Sequence, residues 1–107
     1  MILVVAPDPE LRRSIEFLLE MEGLEVVSLA ELPAALEYAG VSRTCTIIDE
    51  DAISGCLNGW ERVADIQPPI VLLVDRLGPI PERYKAMIVR KPLLGQLLID
   101  AVRAVIG

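Results

Sequence analysis

The segment "ILVVAPDPELRR" (Ile2–Arg13) changes character twice within twelve residues. Ile2 to Val5 is a continuous apolar run, too short for a buried helix and typical of a strand covered on both faces. Asp8-Pro9-Glu10 then reads as a helix start. The aspartate is an N-cap, the proline fits the first helical position, and the glutamate meets the positive end of the helix dipole. Leu11, Ile15, Leu18 and Leu19 follow at helical spacing, with Arg12, Arg13, Glu16 and Glu20 on the other side, and Gly23 is a C-terminal stop. A buried strand delivers Ala6 and Pro7 to the mouth of a helix, which makes this turn the first place to look for a ligand site.

The same alternation continues outward along the chain. "LEVVSL" (Leu24–Leu29) is a second strand, and Pro33 starts a short helix running through Leu36 and Ala39 to Gly40. "TCTIID" (Thr44–Asp49) is a third strand, and "EDAISGCLNG" (Glu50–Gly59) a polar loop. Trp60 to Ile66 fits a short helix that Pro68-Pro69 stops, and "IVLLV" (Ile70–Val74) is a fourth strand. Gly78, Pro79 and Pro81 crowd the segment after it and argue against a full helix there. "AMIV" (Ala86–Val89) is a fifth strand, and Leu93, Leu97, Leu98, Ala101, Val102 and Val105 give the last helix its apolar stripe. Five such runs separated by amphipathic helices predict one α/β domain over residues 1–107, a doubly wound parallel sheet with helices on both faces. Ligands of such sheets bind at the carboxyl ends of the strands. Ala6-Pro7-Asp8, Asp49-Glu50-Asp51, Val74-Asp75 and Lys91 all fall there.

Composition narrows the chemistry. Of 107 residues, 53% are hydrophobic and 24% charged, which excludes a disordered chain. The net charge is −6 and the ten basic residues are scattered, so no nucleic-acid partner is expected. No run reaches the length of a membrane span and none resembles a signal peptide, so a cytoplasmic location is expected. The absence of histidine removes imidazole acid–base chemistry and imidazole metal ligands. Cys45 and Cys56 do not make a zinc pattern, and Cys45 reads as a small buried hydrophobe.

Taken together, "ILVV..DPELRRSIEFLLEMEG", "TIID" ending in Asp49, "NGWE", "PPIVLLV" and "RKPLLGQLLIDAVRAVI", in this order and spacing, resemble the receiver domain of two-component response regulators over the whole chain. The resemblance implies a flavodoxin-like sheet of strand order 2-1-3-4-5. It implies phosphoryl transfer from a histidine kinase to an aspartate ending the third strand, with Mg²⁺ held by two acids after the first strand. It also implies a Thr or Ser at the end of the fourth strand and a Lys before a cis proline after the fifth. Asp49 matches the acceptor, Lys91 the lysine and Pro92 the proline. The metal-binding acids fall on Ala6 and Pro7, and the Thr or Ser falls on Val74 with Asp75 beside it. The family's fourth helix, between strands four and five, is shortened.

The expectation is therefore an atypical receiver, not an enzyme, that acts as a protein-interaction module with weakened or absent phosphorylation of Asp49. Mg²⁺ requires oxygen ligands that Ala6 and Pro7 lack, so no cofactor is expected. Asp8 is read as a helix cap, the other reading being a replacement metal ligand. Lys91 is expected to bridge Asp49 and Asp75, with a cis Lys91-Pro92 bond. A histidine kinase or an output protein is the expected partner, or a second copy through strand five and the last helix, where Leu77, Ile80 and Met87 would be exposed. The alternative is a functional phospho-acceptor that uses Asp49 with Mg²⁺. A remoter one is a haloacid-dehalogenase-like phosphatase, from the similarity of "TIIDEDAI" to a D-x-D motif with Asp49 as nucleophile and Asp51 as acid; the usual later acids and the Ser or Thr are not evident.

Overall fold

The computed structural model describes residues 1–38, 44–66, 68–74, 86–90 and 95–106. Its elements are β1 (Ile2–Val5), α1 (Pro9–Met21), β2 (Val26–Leu29), α2 (Leu32–Leu36), β3 (Cys45–Asp49), α3 (Glu50–Ser54), α4 (Gly59–Val63), β4 (Ile70–Val74), β5 (Ala86–Arg90) and α5 (Gly95–Ile106). All five strands pair in parallel, in the order β2-β1-β3-β4-β5. This is the doubly wound sheet and the strand order expected.

The continuous apolar runs are explained by two-sided burial. Successive strand side chains point to opposite faces. Ile2, Val4, Ile47, Val71 and Leu73 pack on Ile15 and Leu19 of α1 and on Leu98 and Val102 of α5. Leu3, Val5, Ile48, Leu72 and Val74 pack on the other side with Leu32, Ala52, Ile53 and Val63. Each fully buried aliphatic side chain contributes about 1.5–3 kcal/mol relative to exposure, so neither face can be left open.

The ends of α1 follow from its sequence. The Asp8 Oδ1 accepts the N–H of Glu10 at 3.0 Å, and Pro9 takes the first helical position. At the other end Gly23 sits at φ 79°, its N–H donating to the Glu20 carbonyl at 2.9 Å and that of Leu24 to Leu19 at 3.1 Å. This pair of bonds is a Schellman cap, and Leu24 packs against the first core layer to which Leu19 belongs. An exposed ion pair between Arg103 and Glu22 links α5 to the end of α1 and adds little stability.

One element departs from the expected organisation. Residues 50–54, read as polar loop, form the single-turn helix α3 directly after β3. Its Ala52 and Ile53 are buried in the second core layer. Asn58 then takes the left-handed conformation (φ 56°) and Gly59 opens α4, which ends at Val63 rather than Ile66. A Cβ on Gly59 would stand 2.0 Å from the carbonyl oxygen of Ile53, so only glycine lets α4 approach α3 this closely. The reduced helix expected over residues 75–84 lies outside the described residues, as do Leu77, Ile80, Gly40 and the Lys91-Pro92 bond. The described residues have a cis bond at Pro68-Pro69.

Two measurements test this account. Gly23→Ala meets nothing within 4 Å, so it carries only the left-handed penalty, about 1–2 kcal/mol. Gly59→Ala must displace backbone and is expected to cost more, about 3 kcal/mol or above, in denaturant titrations. Cys45 supplies a pH test. Burial, only partly opposed by the N-terminal ammonium, pushes its thiol up from 9.0 to about 11. The folded state thus favours the neutral thiol, a contribution fully present below pH 9 and lost as pH rises towards 11. Its size is of the order of 2–3 kcal/mol. Relative to Cys45→Val, the parent should lose about this much stability across that window.

Candidate functional site

The carboxyl ends of β1 and β3 lie side by side, since the register pairs Val5 with Ile48. One step further along, Ala6 leaves β1 while Asp49 ends β3. Ala6 is fully buried and its N–H donates to the Leu29 carbonyl at 2.9 Å, while Pro7 is exposed. The receiver pattern calls for metal-binding acids at these two positions.

Arg12, from the first turns of α1, reaches back over this turn. Its Nη1 donates to the Ala6 carbonyl at 2.8 Å and to the Pro7 carbonyl at 3.4 Å. Reading the sequence placed Arg12 on the polar side of the helix and missed this contact. The signal available was an arginine four residues after an Asp N-cap, within reach of the turn behind it.

Asp49 ends β3 with 1% of its surface exposed. Its Oδ1 accepts the N–H of Asp51 at 3.1 Å, and with φ −76° and ψ 135° it forms the N-cap of α3. Glu50 and Asp51 occupy the first helical turn, where the dipole favours negative charge. The Asp51 carbonyl accepts from the Gly55 N–H at 3.0 Å and from the Ser54 hydroxyl at 3.4 Å. Asp8 is engaged as the α1 cap. Val74 ends β4 inside the second core layer, 1% exposed. Asp75, Lys91 and Pro92 lie outside the described residues, so the expected Lys91 bridge does too.

These residues do not fit Mg²⁺. Hard cations need several oxygen donors in near-octahedral array. Ala6 and Pro7 offer no side-chain oxygen, and both of their carbonyls accept from Arg12. Among the described residues no group of three or more potential metal-ligating side chains occurs. Beside the turn, towards β2, runs a cleft of about 460 Å³, whose walls include Pro7, Glu31, Leu32, Asp51, Cys56 and Arg62.

The capping role can be measured. Asp49→Ala removes the acceptor for the Asp51 N–H and should cost about 0.5–2 kcal/mol, whereas Asp49→Asn keeps an acceptor oxygen and should melt close to the parent.

No protein-family model and no curated protein matches the sequence. Solved structures do match the fold. The chemotaxis response regulator CheY4 of Vibrio cholerae superposes with a TM-score of 0.79 at 21% identity, over 97% of this chain and 96% of that one. The N-terminal domain of a response regulator/sensory box/GGDEF three-domain protein from Carboxydothermus hydrogenoformans gives 0.83 at 22% identity, over 98% and 92%. A response regulator receiver protein from Burkholderia phymatum gives 0.76 at 24% identity, over 99% and 94%. No described helix is long and apolar enough to cross a membrane. The architecture is that of the receiver domains of response regulators, built here with an alanine, a proline and a bound arginine at the turn after the first strand.

Proposed function

We propose that this chain is an atypical receiver domain, a signalling module that works by protein–protein interaction with phosphorylation of Asp49 weakened or lost. The observation that carries this reading is the arrangement after β1 and β3. Phosphoryl transfer is mostly positioning and charge neutralisation. Here the positions for metal-binding acids hold Ala6 and Pro7, and Asp49 serves as the N-cap of α3. Phosphorylation would replace the single charge of the Asp49 carboxylate with a phosphoryl group of about two negative charges beside the acidic first turn of α3, with no Mg²⁺ to offset them.

The partner would be a histidine kinase or an output protein, met through β5 and α5. Apolar exposure on that side supports this choice, with Ile88 on β5 and Leu97 and Ile106 on α5 each 37–52% exposed. Leu97 lies beside the buried Leu98, so it projects from the helix without serving the core. Sedimentation velocity at rising concentration tests whether a second copy uses this side, and Leu97→Asp should abolish any self-association found.

The decisive experiment is intact mass after acetyl phosphate and Mg²⁺, with Asp49→Ala alongside. The expected result is no phosphoryl adduct on either protein. An adduct on the parent that disappears in Asp49→Ala would replace this reading with that of a working phospho-acceptor.

A further inference from the structure

We propose that the cleft beside the β1–α1 turn is a docking groove for a segment of a partner protein that combines aliphatic side chains with lysine or arginine, which rests on the reading of the chain as an interaction module but not on the state of Asp49. This surface is distinct from β5 and α5.

The topology opens a crevice at this place. β1 and β3 are neighbours, but their connections leave to opposite faces: α1 packs in the first core layer with α5, and α3 in the second. Doubly wound sheets take ligands where adjacent connections part in this way. The walls come from Pro7 after β1, from residues 30–33 between β2 and α2, and from α3, α4 and the loop that joins them. Asp49 is not one of them. The volume of about 460 Å³ lies within the ~300–1,000 Å³ of sites that hold a ligand.

The chemistry of the walls selects a cation. A phosphate in such a crevice is held by backbone N–H groups. Here Pro7 has no N–H, and Glu31 and Asp51 bring two exposed carboxylates. Glu31 stands at the N-cap position of α2, yet its side chain makes no capping hydrogen bond, so the helix does not occupy that carboxylate. Arg62 is the only basic side chain among the described wall residues, and its Nε is engaged with the Leu57 carbonyl at 3.2 Å. Residues 30–62 hold six Asp and Glu against two Arg. An approaching anion meets like charge there, whereas a basic segment is steered inward.

Leu57 favours a protein segment over a small free cation. It stands on the wall of the cleft and is 82% exposed, more than any other large apolar side chain among the described residues. A single exposed leucine is ordinary on a protein surface. This one is held in place, because its carbonyl accepts both from Arg62 and from the Cys56 thiol, the latter at 3.6 Å. Pro33 and Ala52 continue the apolar wall beside it. A free cation gains nothing from a fixed leucine, while a segment running past the cleft covers it with its own aliphatic side chains and sets its cations against Glu31 and Asp51.

An amide-shift titration of the whole chain tests this with four probes: the acetylated and amidated peptides KLKLK, KGKGK and ELELE, and spermidine. The expected result is saturable binding of KLKLK with shifts at residues 30–33 and 51–62, the other three binding at least about tenfold more weakly. Glu31→Gln and Leu57→Ser, both at exposed positions, should each weaken KLKLK by about threefold or more, and Leu97→Ser should not. Spermidine or KGKGK binding as tightly as KLKLK would make this a site for free cations and overturn the proposal. ELELE binding equally well would remove the charge selection and overturn it too. So would shifts centred on β5 and α5, or no saturation by KLKLK at millimolar concentration. A phosphoryl adduct on Asp49 would instead overturn the loss of phosphorylation, and the titration still judges the cleft by itself.

Discussion

A parallel sheet buried on both faces leaves its polar loose ends at the two edges where strands begin and stop. With all five strands parallel, their carboxyl ends open on one side. Backbone groups there lose their ladder partners and must find others, because an unmet buried carbonyl or N–H costs about 1–3 kcal/mol. In this protein the replacements come from its own side chains. Arg12 serves the carbonyls of Ala6 and Pro7, Asp49 serves the N–H of Asp51, and Asp8 serves the N–H of Glu10. The same edge is where the fold places ligands, so internal partners and external ones compete for it.

Magnitudes decide which of these features matters for phosphoryl chemistry. Drawing the Asp49 oxygen away from its cap costs about 0.5–2 kcal/mol, too little to forbid a reaction driven by a phosphorylated donor. Neutralising charge with a metal ion is worth several kcal/mol in the transition state. The absence of acids at positions 6 and 7 therefore weighs more than the capping of Asp49. Capping instead bears on geometry: a carboxylate fixed to a helix start is less able to turn towards an incoming group.

Much of this was readable in the sequence, for identifiable reasons. Strands buried on both faces leave unbroken apolar runs, so Ile2–Val5 and Ile70–Val74 were read at their observed bounds. Asp8-Pro9 and Gly23 carry local signals of helix start and stop that need no tertiary context, and they set the ends of α1. Residues 50–54 did carry a start signal, an Asp followed by two acids and a buried Ala-Ile pair, but five residues are too few to show a 3.6 period. Arg12 was illegible for a different reason. An arginine on the polar side of a helix looks the same in sequence whether it points to water or curls back to a carbonyl six residues earlier.

The geometry at Asp49 also depends on a contact made far from any charge. The aspartate is held by the first turn of α3, and α3 is fixed by burial of Ala52 and Ile53 against β4 and its neighbours. α4 comes close behind, its first residue pressed against the backbone of Ile53 where no Cβ fits. The left-handed Asn58 turns the chain into that position. A steric allowance at Gly59 is thus transmitted through one short helix to the carboxylate at the strand end. The "NG" of Asn58-Gly59 reads in sequence as an ordinary turn, yet it belongs to the support of the site. A change there should disturb Asp49 without touching any residue that meets a ligand, because α3 has one turn and no length over which to absorb a shift.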